Sequence, residues 1–338
     1  MNKIFEKDNV VLVTGANGFI GKSLCIHLIN AGYNVRAAVR DSEKEKKLLQ
    51  EIERYFGNTK ILGVFQVIKV GDVDGDTNWS EALAGVSIVV HLAGRAHLVK
   101  DTAKDSLLEY RKVNTEGVDQ LARSSVDASV KRLVFISTIG VNGKSSGDGV
   151  FSEASLEKPH DPYSVSKMEA EYLLRKLGLK NKLNFVIIRP PLVYGPGNPG
   201  NFTRLVKLIR NSRVLPFGSI HNSRSFIYID NLMSAIEMCM LHPNAIGKTY
   251  LVSDGEEISV VDLIRIIAED LRIEIVNLPI PYWVLFFLAK IFRKENEFLS
   301  ISGSLRIDSS LIQKELSWTP PSSLRQGIRK TVQKYRRE

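Results

Sequence analysis

The chain has 338 residues, more than one typical domain, with 44% hydrophobic and 25% charged residues, proportions that exclude disordered and fibrous classes. Its net charge of +9 is compatible with nucleic acid, an anionic membrane surface or a polyanionic small substrate. The charge is dispersed, however: Lys44, Lys46 and Lys47 alternate with Glu43 and Glu45, and the denser group from Arg325 to Arg337 fits a charged terminal helix, so with no basic-plus-aromatic module no nucleic-acid partner is expected.

Met1 to Asp8 is charged and lacks the apolar core of a secretory signal. Short β-branched runs then alternate with longer helical patterns, which predicts a parallel α/β sheet. Strands are expected at Val10–Thr14, Asn34–Val39, Phe65–Val70, Ser87–Leu92, Leu133–Ser137 and Phe185–Arg189. Their apolar runs are nearly continuous, as strands covered on both faces require. Helices are expected over Phe19–Ala31, Leu107–Asp127 and Pro162–Leu177. From Pro190 the texture changes, because Pro190, Pro191, Gly195, Pro196, Gly197, Pro199 and Gly200 crowd into an irregular loop. The expected organisation is a doubly wound, Rossmann-type unit over 1–189, rejoined by 224–253. A smaller α/β substrate-binding region on the C-terminal side comprises 190–223 and 254–338. Within it Pro281–Phe292 is strongly apolar but shorter than the roughly 20 residues that span a bilayer. A buried or interfacial helix is expected there, which leaves peripheral membrane contact open. Cys25 and Cys239 form no Cys-x-x-Cys pair; no metal site is expected, and a reducing, cytoplasmic compartment is.

Gly15, Gly18 and Gly21 follow the first strand and open the first helix. Glycines serve where a strand turns sharply into a helix and where backbone approaches a pyrophosphate, and the helix N-terminus then favours the anion. The second strand ends Val39-Arg40 with no carboxylate at its tip. A carboxylate there would bind the ribose of NAD; Arg40, helped by Arg36 or Lys44, suits a 2′-phosphate. NADP(H) is therefore favoured, with NAD(H) as the alternative. The fourth strand ends His91-Leu92-Ala93-Gly94, where small residues let backbone approach the cofactor; His91 reads as structural.

Tyr163 and Lys167 are four residues apart in a predicted helix, so phenol and ammonium project from one face. A tyrosine of ordinary pKa near 10 is a poor acid–base catalyst at neutral pH, and a neighbouring ammonium lowers it. The preceding strand ends at Ser137-Thr138.

These motifs, together with Asn114, Arg189-Pro190-Pro191-Leu192-Val193-Tyr194-Gly195-Pro196, Arg224 through Asn231 and the Asp308–Pro320 segment, resemble the extended short-chain dehydrogenase/reductases of the nucleotide-sugar epimerase/dehydratase group. The similarity runs over nearly the whole chain. It implies Tyr163, Lys167 and Thr138 as the catalytic set. It implies a cofactor cradle of Gly15, Asn17, Gly18, Phe19, Ile20, Gly21, Arg40, Asp72, Val73, Leu92, Ala93, Gly94, Asn114, Pro190 and Val193, with Asp72 against adenine. It places Ser137, Thr138, Asn201, Leu215 and Phe217 at the substrate and gives Arg224 the diphosphate of a UDP-sugar. A homodimer through the helices near 107–127 and 162–177 is also implied.

Dehydratases of the group need an acid and a base just after the strand-five hydroxyl; here Ile139 and Gly140 follow Thr138, and neither transfers protons. Hydride chemistry at a sugar carbon is left. The chain resembles the 4-reductases that convert UDP-4-keto-6-deoxy-N-acetylglucosamine to UDP-N-acetylquinovosamine for surface polysaccharides such as O-antigen. The alternatives are a 4-epimerase with tightly bound NAD, acting on a UDP-sugar or a polyprenyl-diphosphate-linked sugar, and a non-catalytic dinucleotide-binding scaffold.

Overall fold

The structure, a computed structural model, describes residues 9–336 apart from 58, 60, 62, 96–104 and 182. Its first half alternates β1 (Val10–Thr14), α1 (Phe19–Asn30), β2 (Asn34–Val39), α2 (Ser42–Phe56), β3 (Phe65–Lys69), α3 (Ser80–Leu83), β4 (Val86–His91), α4 (Ser106–Arg111), α5 (Gly117–Asp127), β5 (Arg132–Ile136), α6 (Pro162–Asn181) and β6 (Phe185–Arg189). The second half contains β7 (Val193–Tyr194), α7 (Asn201–Asn211), β8 (Val214–Leu215), β9 (Arg224–Ser225), β10 (Ile227–Tyr228), α8 (Ile229–Leu241), β11 (Thr249–Leu251), β12 (Glu257–Ile258), α9 (Val260–Leu271) and β13 (Val276–Asn277). It ends with α10 (Tyr282–Ile291), α11 (Glu295–Ser302), α12 (Ser310–Leu316) and α13 (Leu324–Arg336).

Seven strands form one sheet in the order β11-β6-β5-β4-β1-β2-β3. Every pairing in it is parallel. The chain thus winds outward twice from β1, and the six strands expected from β-branched runs are all present. Because successive side chains leave opposite faces, each strand feeds two cores. Val11, Val13, Val90, Val134 and Ile188 pack with α1 and α8 on one side, whereas Leu12, Val89, Leu133 and Ile187 pack with α5 and α6 on the other. The first of these cores continues into the C-terminal region through Val206, Leu263, Ile264 and Ile328. The seventh strand, β11, lies next to β6 and was not anticipated, since three residues carry too little pattern to read.

One expectation is revised and another narrowed. The helix over Leu107–Asp127 is split into α4 and α5 by a π-turn at Lys112–Glu116, a wide turn of the kind often found at functional sites. It seats Asn114 in the interior. Of the two placements expected for Pro281–Phe292, buried or interfacial, the buried one does not hold: Leu285 alone of α10 is buried, whereas Trp283, Phe287, Ile291 and Phe292 are exposed. The local core beneath it, Ile220, Leu285 and Phe298, is too small to cover a second side.

Candidate active site

β1 ends at Thr14, whose hydroxyl accepts the backbone N–H groups of Leu92 and Ala93, both at 3.1 Å, and contacts His91 Nδ1 at 2.8 Å. With two donors already directed at it, the threonine gives its own proton to Nδ1, leaving His91 protonated at Nε2. Burial holds this imidazole neutral, its pKa lowered to about 3, with the Lys167 charge adding to the effect. His91 is therefore a clamp between the tips of β1 and β4, as its strand-end position suggested.

The clamp brings Leu92–Gly94 against the glycine loop. Gly15 has φ +63°, and a Cβ there would lie 2.8 Å from Ala93 N. A Cβ on Gly21 would fall 2.2 Å from Gly15 O. Only glycine allows this loop to pass so close to both α1 and β4. α1 begins with Gly18 at its N-cap, without a side-chain cap or an acid in its first turn, so its N-terminus suits a bound anion.

Two clefts meet at Gly15 and Gly94. The first, about 620 Å³, is lined by Gly15, Asn17, Arg40, Asp72, Val73, Ala93, Gly94 and Arg95. The second, about 360 Å³, is lined by Gly18, Phe19, Ile20, Gly21, Leu92, Ser137, Thr138, Tyr163, Lys167, Pro190 and Val193. Together they form one groove across the C-terminal ends of the strands, where open parallel sheets bind ligands. The Cβ-excluding glycines, the uncapped helix and the groove's length fit a nicotinamide dinucleotide. Asn114 braces the groove from below: its side chain accepts from Arg95 N at 2.8 Å and donates to Ser166 Oγ at 3.0 Å.

At the first cleft's rim, exposed Arg40 donates to Asp72 Oδ1 at 3.1 Å. The helpers proposed for it are not there. Arg36 is committed to the carbonyls of Glu81, Ala82 and Ala84 at 2.7–3.4 Å, where it caps α3, and Lys44 Nζ lies 3.4 Å from Glu43. Asp41 caps α2 by accepting from Lys44 N at 2.9 Å.

In the second cleft Tyr163 stands on the first turn of α6, its ring 6.1 Å from that of buried Tyr110. Burial, then the Asp161 charge and Tyr110, raise its phenol above the ordinary value. Lys167, one turn on, is buried; its Nζ donates to Ile136 O at 2.9 Å and sits 4.4 Å over the Phe135 ring. Burial lowers its pKa to about 8, against the opposing pull of Glu171. The Lys167 ammonium is directed at the Ile136 carbonyl, and the Tyr163 phenol is raised, not lowered as expected from the Lys167 neighbour. Thr138 lines the cleft and accepts from Gly140 N at 3.1 Å. Ser137 also lines the cleft, but its hydroxyl turns away to Glu171 at 2.5 Å.

Beneath lies a polar network that the sequence reading missed. Glu171, fully buried, accepts from Ser137, from Arg189 Nε at 2.9 Å and from Arg175 Nη2 at 2.9 Å. Arg189, equally buried, also donates to Asn142 Oδ1 at 3.0 Å and to Glu157. The available signals were an arginine closing an apolar strand and a glutamate four residues after Lys167.

A third, apolar pocket of about 250 Å³ lies beyond β7 and brings together Asn201, Phe217 and Arg224 with Phe202, Leu205 and Phe226. The Arg224 guanidinium donates to Gly303 O at 2.6 Å and is held below its ordinary pKa by burial. Leu215 does not line this pocket; it is buried in β8, paired with β13.

The chain matches the NAD dependent epimerase/dehydratase family over residues 11–253. It is 37% identical over 329 residues to the UDP-glucose 4-epimerase of Vibrio cholerae, covering 96% of this chain and 95% of that protein. It is 26% identical over 343 residues to the N-acetyl-alpha-D-glucosaminyl-diphospho-ditrans,octacis-undecaprenol 4-epimerase of Escherichia coli O157:H7, covering 96% and 95%. Among solved structures it is similar to MoeE5 in complex with UDP-glucose and NAD, with a TM-score of 0.75 and 26% identity over 97% of this chain and 99% of that one.

Proposed function

The chain belongs to the NAD dependent epimerase/dehydratase family, and from that premise we propose that it reduces the C4 ketone of a UDP-4-keto-6-deoxy-N-acetylhexosamine with NADPH. The product is UDP-N-acetylquinovosamine, for surface-polysaccharide synthesis. The observation that carries the reductive direction is Arg40: it lines the first cleft at the tip of β2, held there by Asp72, while Asp41 beside it accepts from Lys44 N as the cap of α2. A cation there fits a 2′-phosphate, hence a cofactor that exchanges after each turnover.

When bound, the nicotinamide supplies the hydride for the sugar C4. Tyr163 gives its phenolic proton to the C4 oxygen, which completes the alcohol, and a proton from solvent restores it. Lys167, one helical turn away, offers its ammonium to the phenolate left behind and to the nicotinamide ribose. Thr138 orients the C4 oxygen. Arg224 faces the diphosphate, and Asn201 and Phe217 flank the nucleotide. Dehydration is disfavoured because Ile139 and Gly140 are buried and no Asp or Glu lines the second cleft among the described residues. A non-catalytic scaffold is disfavoured by the retention of Tyr163, Lys167 and Thr138 together in that cleft. Leu108, Tyr172 and Leu179 are exposed on α4 and α6 and support a homodimer through these helices.

A second reading, a 4-epimerase that retains NAD, is favoured by the Vibrio cholerae relative; the Escherichia coli relative extends it to a lipid-linked sugar. Denaturing the purified protein and identifying the released nucleotide separates the two. Little nucleotide, and that NADP(H), supports reduction; one equivalent of NAD per chain overturns it in favour of the epimerase.

A further inference from the structure

Trp283, Phe287 and Ile291 recur every four residues on α10, so they stand in one stripe, and they are 71%, 59% and 57% exposed. Phe292, just past the helix, is 68% exposed. Single exposed apolar residues are ordinary, whereas a contiguous run of large ones marks an interaction surface. The stripe is not the helix's core face displaced outward. That face exists separately: Leu285 packs on Ile220 and Phe298, and the rings of Tyr282 and Phe286 lie tilted against Phe298 with centroids at 5.2 and 6.3 Å. α10 is therefore apolar on two sides, one anchored to the protein and one facing outward.

Charge selects the occupant. From Ile275 to Lys294 the sequence holds Lys290, Arg293 and Lys294 and no acidic residue, with Glu295 and Glu297 following only at the start of α11, and all three cations are exposed. A second copy meeting this face about a two-fold axis would set these cations against their own counterparts. A bilayer with anionic headgroups instead offers an apolar layer for the stripe and negative charge for the collar. Tryptophan is at home at that boundary. We propose that the α10–α11 hairpin docks the protein peripherally on an anionic phospholipid surface, with Trp283, Phe287, Ile291 and Phe292 entering the headgroup boundary and Lys290, Arg293 and Lys294 on the phosphates. At ten residues the helix is about 15 Å long and lies in the interface; no described helix is long and apolar enough to cross a membrane. The same hairpin contributes Ile301 to the wall of the apolar pocket that holds Arg224, so docking sets that pocket beside the lipid surface. This inference stands apart from the proposed reaction, and its test does not use turnover.

The test is flotation of the full chain with vesicles of phosphatidylcholine alone or with 30% phosphatidylglycerol. The expected result is co-flotation with the anionic vesicles, weakened by salt, and loss of it in Trp283→Ala/Phe287→Ala. A second variant, Lys290→Ala/Arg293→Ala/Lys294→Ala, removes three charges, each worth about fivefold in partitioning, and lowers binding on the order of 100-fold. Circular dichroism matching wild type verifies that each variant is folded. Absence of flotation by wild type, or equal flotation by both variants, overturns the proposal. So does a lipid-free dimer that Trp283→Ala/Phe287→Ala converts to monomer, since a second copy then covers the stripe.

Discussion

Glu171→Gln probes the network under the reaction cleft with almost no change of shape. Glu171 has no exposed surface and Arg189 has 1%, and the carboxylate accepts from Ser137, Arg175 and both Nε and Nη2 of Arg189. The amide retains one acceptor but points an NH2 at one of the two guanidinium groups. Removing one partner of a buried pair costs about 3–5 kcal/mol, because the other charge stays buried. Glu157 remains on Arg189, so the lower end applies: about 3 kcal/mol, or about 6 °C in Tm at roughly 2 °C per kcal/mol for a chain of this size. Urea unfolding measures it. A loss below about 1 kcal/mol would place the network with exposed ion pairs and refute the reasoning. A second readout concerns chemistry. Glu171 is the influence that opposes burial at Lys167, so its loss moves the Lys167 pKa below about 8. The alkaline limb of kcat/KM, expected in the wild type where Lys167 loses its charge above about pH 8, then shifts to lower pH. An unmoved limb would restrict Glu171 to a structural part.

Other consequences are equally direct. Arg40→Ala should raise KM for NADPH by about 10- to 100-fold, the range of charge-assisted bonds to phosphate, and leave KM for NADH within about twofold; equal effects on both would remove Arg40 from cofactor choice. Gly15→Ala forces φ +63° on a side-chain-bearing residue and drives Cβ into the Ala93 backbone. It should cost at least about 1–2 kcal/mol and weaken dinucleotide binding measured by calorimetry. His91 is neutral when folded and takes a proton below about pH 6.5 when unfolded. Its folded pKa is depressed, so unfolding stability falls by up to about 1.4 kcal/mol per pH unit as pH drops from about 6.5 towards 3. His91→Leu should flatten that slope in acid unfolding, and an unchanged slope would assign the acid sensitivity elsewhere.

The parallel sheet was legible because continuous β-branched runs need cover on both faces, and β1 to β6 supplied them. The glycine loop and the Tyr163–Lys167 pair were legible because their spacing is local: strand to helix, and one helical turn. What escaped was set by long-range contacts. Ser137 and Thr138 are adjacent in sequence, yet one hydroxyl faces Glu171 and the other lies at the cleft, a division that strand alternation alone does not decide. Arg36 looked like a phosphate helper until the α3 carbonyls claimed it. α10 read as apolar from composition, but which side stayed uncovered depended on the size of the core formed by Ile220 and Phe298.

The most direct measurement uses NADPH deuterated at the transferred position with UDP-4-keto-6-deoxy-N-acetylglucosamine, read by NMR of the sugar. The expected outcome is deuterium at C4 of UDP-N-acetylquinovosamine, with Tyr163→Phe slowed by about 10²- to 10⁴-fold. No deuterium at C4, together with interconversion of UDP-sugar 4-epimers without added nucleotide, would contradict reduction.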